Sequence, residues 1–171
     1  MCVTRYFTYG SNTNLDHLTS WLSGYGVTAS ELASPRKAIL QNYRLRTNYW
    51  STTHQAGACN IELCIGRQVE GLLIEVSDEV RSFLRIKEGW NRCYSELDVH
   101  VMVPGSRTSI SAFTYIVVPE LQVTHDLPVK SEYRRLILDA AKEHRFSQTY
   151  QRSLERILHP VAISRPIEVA S

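Results

Sequence analysis

Hydrophobic and polar positions change period several times along the chain. From Arg5 to Tyr9 aromatic and β-branched residues are dense enough for a short strand, and the turn cluster Gly10-Ser11-Asn12 interrupts it. Leu15, Leu18 and Leu22 then recur at helical spacing, with Asn14 as N-cap and Gly24 and Gly26 as stop signals. The middle of the chain reads as strands over Ala38 to Arg46, Ala58 to Ile65 and Gln68 to Val76. Ser77-Asp78-Glu79 starts a helix carrying Val80, Phe83, Leu84 and Lys87, which stops at Gly89. From Tyr94 to Val103, Leu97, Val99, Val101 and Val103 alternate with Glu96, Asp98, His100 and Met102, predicting one buried face and one wet face. Pro104-Gly105 turns the chain into a hairpin partner over Ile110 to Val118. Two helices follow. Ser131 is expected to cap the first, which carries Tyr133, Leu136, Ile137, Ala140 and Ala141; the second holds Tyr150, Leu154, Ile157 and Leu158 and is closed by Pro160.

Strands in the middle with helices inserted between and after them predict an α+β fold: a small mixed or antiparallel, barrel-like sheet with peripheral helices. At 171 residues the chain fits one domain over 1–171, long enough to bury its own core. No apolar run approaches the ~20 residues of a membrane span, and the opening Met1 to Arg5 has no signal-peptide pattern. A cytoplasmic protein without membrane association is therefore expected. Net charge is +2 with acids and bases interspersed, which argues against nucleic acid as a partner. The basic runs Arg134-Arg135 and Lys142 to Arg145 read as wet helix faces. The cysteines, at 2, 59, 64 and 93, form no C-x-x-C pair, and no histidines have H-E-x-x-H spacing. Neither a metal nor another cofactor is expected.

Three stretches can carry chemistry. Tyr9-Gly10-Ser11-Asn12 follows a strand and precedes a helix; there a glycine lets successive backbone N–H groups converge on an anion, with Ser11 and Asn12 adding side-chain donors. The same residues also suit a plain capped connection. Glu88 closes a helix beside Gly89, where the dipole disfavours an acid; partly desolvated, its carboxyl could work as a proton shuttle near neutral pH. A solvated glutamate on a surface helix is the other reading. Tyr133, near the start of its helix, reads on its own as an amphipathic core tyrosine. A Cys–His nucleophile, Cys59 or Cys93 with His54 or His100, is chemically conceivable but lacks an elbow motif.

The order of these features resembles the γ-glutamylcyclotransferase-like family from near the N-terminus to about residue 158. The matching phrases are Tyr6 to Asn12, ending in Tyr-Gly-Ser-Asn; Val69 to Leu72; Glu88-Gly89 followed by Tyr94; and Tyr133, Ile137, Asp139 to Glu143, Tyr150 and Leu154 in the final helices. Relatives often carry Gly-Ala and then Gly-Leu-Pro where this chain has Ala140-Ala141 and Arg145-Phe146-Ser147. The resemblance implies a barrel-like fold with a cavity at one end and conversion of a γ-glutamyl amine or peptide into 5-oxoproline. On this carry-over Glu88 is the general acid/base, main-chain groups of Tyr9, Gly10, Ser11 and Asn12 hold the glutamyl carboxylate, and Tyr94 and Tyr133 line the pocket, hydrogen-bonding Glu88 or the substrate. The partner is then a small γ-glutamyl molecule, and the protein a monomer or homodimer. A non-catalytic member binding a small acidic ligand or a protein partner is the alternative. Specificity is expected in the loops Trp50 to Gly57 and Pro119 to Pro128.

Overall fold

The structure, a computed structural model, describes residues 4–160, so Cys2 lies outside the described residues. Its elements run β1 (Thr4–Thr8), α1 (Leu15–Ser23), β2 (Ala33–Ser51), β3 (Ala56–Val76), α2 (Asp78–Glu88), β4 (Tyr94–Met102), β5 (Ser109–Val117), α3 (Ser131–Glu143) and α4 (Gln148–Ile157). The strands close into a barrel in the order β1-β3-β2-β4-β5. Neighbours are antiparallel except β1 and β5, which meet in parallel at Tyr6 and Phe113. The expected mixed, barrel-like α+β architecture is therefore present.

Most departures from the predicted elements lie in β2 and β3. The two strands expected over 58–76 are one long strand that pairs along its length with β2, from Ala33 opposite Glu75 to Ser51 opposite Ala56. The register slips where Gln41 faces Gln68 but Tyr43 faces Leu63, with Asn42 and Gly66 both at positive φ. This bulge breaks the period of two that marks a strand in sequence. The predicted caps Asn14 and Ser77 accept from His17 N and Val80 N at 3.0 and 3.2 Å. Ser131 is already helical, and the cap position before it is Lys130, whose side chain makes no capping bond.

The core fills the barrel and the space beneath the helices. Phe7, Leu18, Leu22, Ile61, Leu72, Leu84, Ile137 and Leu154 are fully buried, each such side chain contributing about 1.5–3 kcal/mol relative to exposure. Gly71 is needed for β1 to reach its place: a Cβ there would collide with the Thr8 carbonyl and lie 2.7 Å from the Phe7 ring. The end of β1, and the loop that follows it, can approach β3 this closely only across a glycine.

Helix α2 is clamped to the barrel from outside. Arg81 and Arg85, one turn apart, both form bidentate pairs with Glu96 of β4, with N–O distances of 2.7 to 3.1 Å. The Arg81 guanidinium also stacks 4.4 Å from the centroid of the Phe113 ring. Glu96 was expected on a wet face; it is instead covered by the helix it anchors. The clamp fixes where the C-terminal end of α2 points, and that end carries Glu88.

Candidate active site

A cavity of about 590 Å³ opens at one end of the barrel, a size ordinary for a small-molecule site. All seven residues singled out from the sequence line it: Tyr9, Gly10, Ser11, Asn12, Glu88, Tyr94 and Tyr133. Three regions far apart in the chain, residues 9–12, 88–94 and 133, are thereby brought together.

Their meeting point is a hydrogen bond. Asn12 Nδ2 donates to Glu88 Oε1 at 2.8 Å and also to the Tyr6 hydroxyl at 3.1 Å. Asn12 is buried, and its own Oδ1 has no protein partner. The loop before it winds into a single 3-10 turn over Ser11–Thr13, in which Thr13 N and Oγ1 both donate to Gly10 O. No side chain caps that turn, so its leading amides have no side-chain partner there. A Cβ on Gly10 would sit 3.4 Å from Cys59 Cβ and 3.6 Å from the Tyr133 hydroxyl; the glycine keeps this wall open.

Glu88 ends α2, and Gly89, in the left-handed conformation at φ 60°, turns the chain away by bonding back to Arg85 and Ile86 carbonyls. Burial pushes the Glu88 carboxyl above its ordinary range; the charge of Lys87 and the Asn12 hydrogen bond oppose the rise without cancelling it. The negative end of the helix dipole works in the same direction as burial.

Tyr94 and Tyr133 line the cavity, and their hydroxyls are engaged with the main chain. Neither Tyr94 nor Tyr133 bonds Glu88. Tyr94 Oη donates to the Cys59 carbonyl at 2.8 Å, and Tyr133 Oη accepts from Cys59 N at 3.0 Å. Together they grip both sides of one β3 residue and hold the cavity wall. Tyr9 Oη donates to the Tyr115 carbonyl at 2.6 Å, tying the loop to β5. The Cys59 thiol is buried and pushed up to about 12, burial being the main cause. A thiol this reluctant to ionise is a poor nucleophile.

The sequence reading missed Tyr6, Lys87 and a group of rim residues, His17, Trp21 and Arg92, that also line the cavity. Lys87 follows the helical period of a core position, which hid it. Of the two loops expected to shape specificity, the first supplies Ser51, Thr52, Thr53 and His54 to the lining, whereas 119–128 contributes no described lining residue. That second loop instead covers β2, with Val123 N and Leu127 N donating to Asn48 and Thr47 carbonyls. Among the described residues no three His, Cys, Asp or Glu side chains converge in a way that could hold a metal ion. No described helix is long and apolar enough to cross a membrane.

The sequence pattern of the AIG2-like family matches residues 68–154. No curated protein sequence matches the chain. Among solved structures, a gamma-glutamyl cyclotransferase is similar with a TM-score of 0.78 at 20% identity, over 98% of this chain and 95% of its own. An uncharacterized protein from Homo sapiens gives 0.74 at 22%, over 95% and 92%. A yeast gamma-glutamyl cyclotransferase specific to glutathione gives 0.65 at 12%, over 92% and 96%. At these identities the likeness is one of fold.

Proposed function

The chain belongs to the AIG2-like family, and from that premise we propose that its cavity releases 5-oxoproline from a γ-glutamyl amine or peptide, with Glu88 as general acid/base. The observation that carries the proposal is the 2.8 Å bond from Asn12 to Glu88, which sets a lone, underpaired carboxyl beside an uncapped turn of main-chain donors.

The reaction suits a site so equipped. The substrate brings its own nucleophile, the α-amino group, and closing a five-membered ring onto the γ-carbonyl can be worth about 7–11 kcal/mol over a bimolecular attack once the geometry is held. Main-chain groups of Tyr9 to Asn12 hold the glutamyl α-carboxylate. Glu88 takes a proton from the α-ammonium, and the freed amine forms a C–N bond to the γ-carbon. As the tetrahedral adduct collapses, the bond to the old amide nitrogen breaks and Glu88 returns the proton to that nitrogen. The second proton shed by the ring nitrogen goes to solvent, from which the departing amine regains its full charge. A carboxyl raised by burial is suited to both halves of this exchange near neutral pH. Tyr94 and Tyr133 serve by fixing the wall at Cys59.

The test is incubation with a panel of γ-glutamyl amino acids, peptides and alkylamines, with chromatographic detection of 5-oxoproline. At least one compound is expected to turn over. No product from any of them at high protein concentration would favour the non-catalytic alternative, a binding protein for a small acidic molecule.

A further inference from the structure

We propose that Lys87 receives a carboxylate on the departing amine, so that the substrate is a γ-glutamyl derivative of a free α-amino acid rather than of a peptide or a plain amine. This deepens the cyclotransferase reading and rests on it.

Helix α2 has two basic residues in its last turn, Arg85 and Lys87. Arg85 is committed to Glu96 and lies 4.3 Å from the centroid of the Trp90 ring. Lys87 is half-buried, lines the cavity, and among the described residues forms no ion pair. Its ammonium sits 5.3 Å from the centroid of the Trp21 ring, an apolar surface that screens it from water. A lysine whose only task is to offset the helix dipole would extend into solvent.

The surroundings of Lys87 are short of negative charge. Glu88 is the only acidic residue among the described residues lining the cavity, whereas His17, His54, Lys87 and Arg92 all do so. Burial and then the charge of Lys87 hold both histidines below their ordinary range. Lys87 is itself lowered by burial, which the Glu88 charge only partly offsets. An anion placed here would relieve the desolvated cation directly.

Position selects the substrate. Lys87 and the proton carrier line the same cavity and each acts on the other's charge, so the ammonium faces the space in which the departing amine must lie. In a γ-glutamyl-α-amino acid the carboxyl carbon is two bonds from that nitrogen. In an isopeptide through a lysine side chain the carboxylate is several bonds further off, and an alkylamine has none.

The experiment compares γ-glutamyl-alanine with γ-glutamyl-alaninamide, which differ only in the charge of the terminal group. Wild-type kcat/KM is expected to favour the acid by about ten- to a hundredfold, the worth of a charge-assisted bond. Lys87→Met should erase the ratio by slowing the acid alone, and Lys87→Arg should keep most of it. A wild-type ratio near one, or a Lys87→Met loss equal for both compounds, would overturn the proposal; the latter would mean that Lys87 acts on Glu88 or the glutamyl head. If neither compound yields 5-oxoproline, the cyclotransferase reading fails on its own. The subsite is then read by calorimetric binding of the same pair to Glu88→Gln and to Glu88→Gln/Lys87→Met. A preference for the acid that disappears with Lys87 supports it, and equal or undetectable binding of the two overturns it.

Discussion

Glu88 and Glu96 flank the same turn after α2, and one end of the molecule treats its carboxylate very differently from the other. Outside the barrel, Glu96 accepts four N–H bonds from Arg81 and Arg85 and a longer one from the Tyr115 hydroxyl at 3.3 Å. Burial works to raise its pKa, but the two guanidiniums outweigh that and hold it down to about 2. In the cavity, Glu88 accepts one amide N–H, its nearest cation makes no ion pair with it, and burial prevails. One residue type thus becomes a permanently charged peg in one place and a proton carrier in the other. The count of donors decides which.

Exchanging the carboxyl for an amide separates the two roles most sharply. Glu88→Gln is expected to lower kcat by about 10²–10⁴-fold with the far-UV spectrum unchanged, because no other carboxyl among the described residues lines the cavity to stand in for it. Glu96→Gln should leave the chemistry within about tenfold of wild type, since it reaches the site only through the placement of α2 and the long bond from the Tyr115 hydroxyl, which an amide oxygen can still accept. Its cost falls on stability. Replacing the acceptor leaves two arginines without their partner, at about 2 kcal/mol after allowance for their partial exposure, or roughly 4–8 °C in Tm. The stabilisation exists above the unfolded carboxylate's pKa and is lost as pH falls through about 2. Melts of wild type and Glu96→Gln should therefore converge between about pH 5 and pH 2. An undiminished gap at the acid end would mean that the clamp is held by shape rather than charge.

Much of this arrangement was legible in the residue order, and the parts that were not share a cause. Asn14, Ser77 and Gly89 announce helix ends because a cap bonds within its own turn. The irregularity at Asn42 and Gly66 hid the true extent of β2 and β3, since the three extra residues on β3, an odd number, invert the alternation that identifies a strand. Glu96 falls on the polar side of a regular alternation and so reads as wet; only the docking of α2 shows that two arginines cover it. Glu88 and the Tyr9 to Asn12 loop could be paired through the order of motifs, but the Asn12 tether between them could not be read. Nor could the grip of Tyr94 and Tyr133 on Cys59, because each joins segments distant in sequence.

The smallest effect is also the most direct check on Glu88, because it requires no substrate. A carboxyl whose folded pKa lies above its ordinary 4.5 keeps its proton in the native state after the unfolded chain has lost it. Folding then favours the protonated form, so this group's contribution is fully present below the unfolded pKa and is lost as pH rises through the folded one. At neutral pH wild type bears the cost of an ionised, half-buried carboxylate, and Glu88→Gln, which can still accept from Asn12 through its amide oxygen, does not. The variant should be the more stable protein by about 0.5–1 kcal/mol near pH 7, a common size for relieving a cost kept for function. The gain should shrink towards zero as the pH is lowered to about 4.5; it is opposite in sign to the Glu96→Gln difference, which is likewise largest at neutral pH. A Glu88→Gln protein that melts below wild type at pH 7, or a gap that ignores pH, would mean that water reaches this carboxyl freely, and with that the basis for its role as proton carrier would be gone.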